Sequence, residues 1–256
     1  MGVAALFLAL TGCKTLIHDD IAATPQRPTV SSDTSTTAEG TAELESGVAI
    51  DPGDSRDIPL TLKIGLNDRT ELFTSWSPYQ KVDLPGTDGR GPGDVFIGTR
   101  TRLFEEKESR PSGALQLQTK LPAADEDEGL GSGEVDFFGA GILTKNLGPV
   151  TTTGFYQLGF LGEVDDDGTD LEHTFAIAAS TSIGDGFSVF GEAAGIFTPE
   201  ADDEQVFATT GIAFSPGSSI VFDAAVVTGL SDDAPDFQIL FGVTTNLGRL
   251  WTPSDD

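Results

Sequence analysis

From about residue 41 to residue 247 apolar and polar side chains alternate with a period of two. That period places successive side chains on opposite faces of an extended strand, so it restricts the chain to β structure with one apolar and one polar face. The last segment shows it most cleanly. Phe237, Ile239, Phe241, Val243 and Leu247 share one parity, while Gln238, Gly242, Thr244 and Asn246 share the other. In the same way Leu115, Leu117 and Leu121 oppose Gln116, Gln118 and Lys120, and Val95, Ile97 and Leu103 oppose Asp94, Arg100 and Arg102.

The alternation predicts about twelve strands. They fall near 41–50, 56–64, 70–77, 94–104, 112–121, 133–144, 150–161, 171–182, 187–197, 205–214, 219–230 and 236–247. Most run roughly 9 to 12 residues, longer than the usual soluble strand and matched to a tilted bilayer crossing. Parity adds a stronger constraint, because a lipid-facing charge at mid-membrane costs about 2 to 4 kcal/mol, whereas a lumen charge stays hydrated. Glu43, Glu45, Lys63, Glu71, Asp94, Arg100, Arg102, Lys120, Asp136, Glu192 and Asp223 all fall on the polar face. A soluble sandwich also alternates, but its outward face would carry more charge than the small and polar residues here. The expected fold is therefore all-β: a transmembrane antiparallel up-and-down β-barrel of about twelve strands over 41–250. The residues expected to line its lumen are Lys63, Glu71, Asp94, Arg100, Arg102, Gln116, Gln118, Lys120, Asp136, Gln157, Glu192, Asp223 and Gln238.

Connection lengths give an independent check. Short links at 65–69, 146–149, 183–186 and 215–217 alternate with longer or acidic ones at 123–133, 162–170, 198–204 and 231–236. Outer-membrane barrels alternate short periplasmic turns with longer external loops in this way. An even strand count brings both ends of the barrel to the short-turn side.

The formal charge of -27, from 14 basic and 41 acidic residues, repels polyphosphate and excludes nucleic acid as a partner. One cysteine rules out an internal disulfide, and two histidines with that cysteine cannot build a zinc site. The acidic runs read as solvated loops, with divalent-ion bridges to lipid headgroups as the weaker reading.

Residues 3–10, VAALFLAL, followed by Thr11, Gly12 and Cys13, read as an export signal. LTGC resembles a bacterial lipobox, which implies cleavage before Cys13 and lipidation of it; a plain signal peptide with an incidental cysteine is the alternative. The expected organisation is a signal peptide at 1–12, a disordered tether at 13–40 rich in Thr, Ser, Ala and Pro, and the barrel.

Three stretches carry a further resemblance: GPGDVFIGTRTRLF (91–104), LPAADEDEGLGSGEVDFFGAGILTKNLG (121–148) and TGLSDDAPDFQILFGVTTNLG (228–248). With the strand spacing, they resemble the outer-membrane barrel transporters named for the meta-pathway of phenol degradation (MetA-pathway). The resemblance spans roughly 41–248 and implies uptake of small aromatic compounds. Its motifs are turn and strand patterns without a chemical signature.

Catalysis is not expected. A lipid-hydrolysing barrel needs a Ser beside an oriented His, and His173 has Phe175 as its same-face neighbour, with Ser180 and Ser182 on the opposite parity. No cofactor is expected. The sequence points to a channel or transporter of the bacterial outer membrane, in contact with outer-membrane lipid and passing small solutes, aromatic or hydrophobic compounds among them, passively; a non-conducting barrel presenting acidic loops is the alternative. Oligomeric state is left open. Three finer expectations complete the reading: inward Gly98, Gly159, Ala194 and Gly211 leave room for a pore; loop 78–93 folds in as a constriction; and Arg100, Arg102 and Lys120 form a basic lumen strip opposed by Asp94, Asp136, Glu192 and Asp223.

Overall fold

The computed structural model describes residues 21–52, 55–84, 87–162, 168–201 and 203–252. The signal segment, Cys13, residues 163–167 of one acidic loop and Asp202 of another lie outside them. The strands are β1 (Thr41–Asp51), β2 (Ser55–Asp57), β3 (Leu60–Gly65), β4 (Thr70–Trp76), β5 (Gln80–Leu84), β6 (Thr87–Gly91), β7 (Val95–Phe104) and β8 (Ser112–Leu121). They continue as β9 (Asp136–Leu147), β10 (Val150–Gly162), β11 (Thr169–Gly184), β12 (Phe187–Thr198), β13 (Asp203–Phe214), β14 (Ile220–Gly229) and β15 (Phe237–Arg249). Pairing is antiparallel throughout, and β15 closes on β1 over ten registered pairs from Thr41↔Arg249 to Ile50↔Ile239.

Three barrel strands are bent, which is why fifteen segments make a barrel of 12 strands. β2 and β3 are one strand interrupted at Ile58 and Pro59; β4–β5 and β6–β7 are interrupted beside it. Proline cannot donate to a ladder, and the neighbours compensate across the bend. Gly47 N–H donates to Pro59 O (3.1 Å), Ile58 N–H to Tyr79 O (2.9 Å) and Gly93 N–H to Ser77 O (2.8 Å). Loop 78–93 is thus a β-hairpin that prolongs the barrel wall rather than a constriction folded inward. The reason lies in its register, since β5 pairs with both β2 and β6.

The outer face is apolar. Ile97, Leu103, Leu117, Phe137, Leu143, Phe175, Ile177 and Phe241 are each at least half exposed. Contiguous apolar surface of this extent is foreign to a soluble monomer, and no helix among the described residues is long and apolar enough to cross a membrane. A closed sheet leaves no backbone edge unpaired, the condition for a strand-built crossing of lipid.

Inside, cross-strand pairs bring one parity inward on every strand. The inner wall has two halves. Across β1, β3, β4, β7 and β8 it is charged and amide-rich; across β8 to β15 it carries an apolar cluster of Ala114, Ala140, Ile142, Phe155, Ala176, Ala194, Phe207, Ala225, Val227 and Leu240. The inward glycines do not leave empty space. Phe73 packs over Gly98, Phe138 over Gly159 and Phe190 over Gly211, each ring coming from the directly paired residue of the neighbouring strand. Without a Cβ, glycine accepts a neighbouring ring flat against the wall, and Ala194 belongs to the apolar cluster.

Candidate functional site

Residues 21–40, expected as part of a flexible tether, lie inside the barrel. Their hydrogen-bond and ion-pair partners sit on β1, β4, β7, β8, β9, β12 and β14, nearly all the way round a closed ring. A short segment reaches all of these walls only from the lumen. The path starts at the short-turn rim, where Ala23 N–H donates to Ser218 O (2.9 Å). It reaches mid-depth at Arg27 and returns to the same rim at Thr37 and Gly40, the entry to β1.

Backbone N–H groups held by wall carboxylates fasten it. Thr24 N–H donates to Glu43 Oε2 (2.8 Å), Gln26 N–H to Glu45 Oε1 (2.9 Å) and Thr37 N–H to Glu71 Oε2 (2.6 Å). The N–H groups of Val30 and Ser31 each donate to a different oxygen of Glu192 at 2.8 Å, and the Ser31 hydroxyl donates to it as well. Hydrogen bonds to charged groups contribute about 1.5 to 3 kcal/mol each. Near the rim the hydroxyls of Thr34 and Ser112 are 2.6 Å apart, and Arg100 donates to Ser35 O (3.2 Å).

Arg27 makes the deepest attachment. Its Nε lies 3.3 Å from Asp223 Oδ2, and Nη2 donates to Phe241 O (3.1 Å). The guanidinium lies where the Cβ atoms of Gly47 and Gly242 would otherwise stand. Those glycines are directly paired across the β1–β15 seam, and Asp223 is paired with Gly242 from the other side. The wall thus has a slot, floored by two glycines and closed by a carboxylate, that matches a planar cation.

The other lumen charges form local clusters. Lys63, buried on β3, pairs with Glu43 and with Glu45 (2.6 Å) and donates to Thr24 O (2.6 Å). Arg100 lies 3.3 Å from Glu71 and donates twice to Gln116 Oε1. Lys120 sits 2.5 Å from Asp136 and 3.8 Å from Asp94 at the opposite end. Arg102 turns to the short-turn rim, where it pairs with Glu105 (2.8 Å) and donates to Asp68 O. Arg100, Arg102 and Lys120 therefore do not form one strip against opposed acids, because each is neutralised by its own neighbour and Glu192 and Asp223 are taken by the N-terminal segment. Gln118 and Gln157 border the cavity above Arg27, and Gln238 is paired with Val227 on the inward side.

Among the described residues, two cavities border the N-terminal segment. One of about 430 Å³ lies above Arg27, where the polar side chains of Lys63, Arg100, Gln116, Gln118 and Gln157 are interleaved with the apolar ones of Phe73, Phe155, Ile196 and Leu240. A second of about 440 Å³ lies towards the short-turn side, bordered by Thr151, Ala178, Ser180, Phe190 and Val221. His173 is outside the barrel. Its Nδ1 is 3.0 Å from Tyr156 Oη, and it stacks among Tyr156 and Phe175 in an aromatic patch of the kind found at membrane interfaces.

A closed barrel with an apolar exterior and a polar, partly filled lumen defines a transmembrane β-barrel. No protein-family model and no curated protein matches the sequence. Solved structures do resemble its fold. The COG4313 outer membrane channel from Pseudomonas putida F1 aligns with a TM-score of 0.70 at 11% identity, over 86% of this chain and 100% of that one. The KdgM porin aligns with a TM-score of 0.58 at 6% identity, over 79% and 98%, and the NanC porin with 0.57 at 8%, over 80% and 98%. The shared property is the outer-membrane barrel fold.

Sequence reasoning missed the N-terminal segment, the Arg27 slot and the apolar half of the lumen. A signal for the first was present: the polar parity holds more acids than bases, so carboxylates such as Glu192 and Asp223 needed partners from elsewhere.

Proposed function

We propose that this protein is a passive channel of the bacterial outer membrane for small solutes. One observation carries the reading: among its described residues the closed barrel has lumen cavities on both sides of a segment that is held by hydrogen bonds and the Arg27–Asp223 ion pair. The upper cavity supports a solute class, because its lining mixes rings and aliphatic side chains with amides and ion-paired charges. That combination suits a small molecule with an apolar body and one polar group, in line with the aromatic compounds implied by the MetA-pathway resemblance. Charge favours neutral or cationic solutes, since acids outnumber bases on the inner wall and the net charge is -27. We also propose that Cys13 is lipidated. Residue 23 lies at the short-turn rim, and the ten residues from Cys13 reach at most about 35 Å, enough to meet the periplasmic leaflet.

Liposome swelling tests the solute class with an aromatic alcohol, an aromatic amine and an aromatic carboxylate of equal size. Swelling should be fast with the first two and slow with the third. Fastest swelling with the carboxylate would overturn the assignment. The alternative of a non-conducting barrel is favoured by the network that fixes residues 21–40; it predicts no swelling with any solute.

A further inference from the structure

At the end of the barrel opposite the short turns, Arg56 of β2 is directly paired with Lys81 of β5, and Lys81 with Arg90 of β6. Three cations thus stand side by side on one face of a three-stranded ribbon, each about 5 Å from the next. The face is the outer one. Arg56 is paired with Ile50, and Ile50 with Ile239 on the lipid-facing parity of β15. The opposite face of the ribbon turns inward, where Gln80 donates to Leu130 O.

Like charges placed directly opposite each other destabilise a sheet, so the row costs stability. Two acids share the face, Asp83 and Asp88, themselves a direct pair. Asp83 takes Lys81 at 2.8 Å. Arg56 and Arg90 are exposed and form no ion pair with a described residue. In a chain of net charge -27, whose loops at this end are otherwise acidic, the row is a local inversion of sign.

Its height selects the ligand. Trp76 and Tyr79 lie exposed on the same bent strand, and aromatic residues of this kind mark the membrane–water interface. Lys81 is five residues beyond Trp76, roughly 16 Å of extended chain, and less in height because barrel strands tilt by about 35–45°. That level is above the phosphates of a simple glycerophospholipid and within the thicker layer of a phosphorylated sugar headgroup. We propose that Arg56, Lys81 and Arg90 bind the phosphates of a phosphorylated glycolipid in the outer leaflet. The proposal rests on the reading of the chain as an outer-membrane barrel.

Native mass spectrometry of the full chain in detergent tests it, with a diphosphorylated lipid A as the probe. Its dephosphorylated form and inorganic phosphate serve as the other arms. Wild-type protein should retain the diphosphorylated glycolipid, less so as salt rises. The variant R56Q/K81Q/R90Q should bind it roughly 100-fold more weakly, from about a fivefold step per lost cation. The substitution removes the repulsion between cations together with the exposed Lys81–Asp83 ion pair, two small and opposed effects, so the variant should still fold, which its heat-dependent gel shift reports; R56Q/R90Q, which keeps the Lys81–Asp83 pair, provides a milder second variant. Equal retention by a folded triple variant, retention of the dephosphorylated lipid at the same level, or displacement by an equal concentration of inorganic phosphate would each overturn the proposal. A wild-type chain without a heat-dependent shift would instead count against the barrel reading itself.

Discussion

Replacing Arg27 with alanine separates the N-terminal segment from its deepest attachment. In the wild type, Asp223 is 3% exposed and its partner Arg27 is 13% exposed, so the ion pair is shielded though close to a lumen cavity. Breaking a fully buried pair costs about 3 to 5 kcal/mol, because the remaining charge is left uncompensated. Access to the cavity lowers that figure, and about 1 to 3 kcal/mol is a reasonable range for the docked segment. The cost falls on the docked state, since an undocked segment leaves Asp223 facing water. The equilibrium between docked and undocked segment should therefore shift by roughly 5- to 150-fold. Single-channel recording of Arg27→Ala in a planar bilayer should show longer or more frequent open periods than wild type. Gly47→Leu, which fills the slot instead of removing its occupant, should act in the same direction. A folded Arg27→Ala barrel whose open probability equals that of wild type would show that this ion pair does not hold the segment in the solute path.

Other outcomes follow from the same geometry. Lys63→Met leaves Glu43 and Glu45 buried side by side without their cation and should destabilise the barrel by about 3 to 5 kcal/mol, measured as the urea midpoint of the folded gel band. Ile177→Arg places a charge on the lipid face and should cost about 2 to 4 kcal/mol in folding into vesicles, whereas Gln118→Arg, facing the lumen, should cost much less. Below the barrel, the hydrogen bond from Lys145 to Glu106 holds the Glu106 carboxyl below its usual range, with the N–H groups of Asn146 adding to the effect. A depressed folded-state pKa contributes stability above the unfolded value of about 4.3 and loses it as pH falls through the folded value. Protease cleavage within 105–111 should thus accelerate in acid, and Glu106→Gln should flatten that dependence.

Much of the barrel was legible because a membrane crossing by strands leaves a strict parity record. Every charge from Glu43 to Asp223 that the alternation assigns to the polar face is consistent with an inward register, and an outward charge at mid-depth would have been costly enough to be visible. The bends at Ile58 and Pro59 were less legible, since two off-ladder residues hardly disturb a period of two. The apolar half of the lumen was hidden for a related reason. Ala140, Ile142, Phe155 and Leu240 occupy polar-parity positions, where an isolated apolar residue reads as noise. The segment at 21–40 was misread because it binds through backbone N–H groups. Carboxylates such as Glu192 recognise those donors whatever the side chains, so a Thr-, Ser- and Pro-rich stretch carries no periodic sign of where it docks.

We propose that a solute path runs through this barrel and that residues 21–40 control it. Planar-bilayer conductance of the full chain, compared with a chain lacking residues 21–40, tests it most directly, with the heat-dependent gel shift confirming that both are folded. The full chain should give small, intermittent steps and the shortened one larger, sustained steps. Two folded but electrically silent barrels would contradict the proposal.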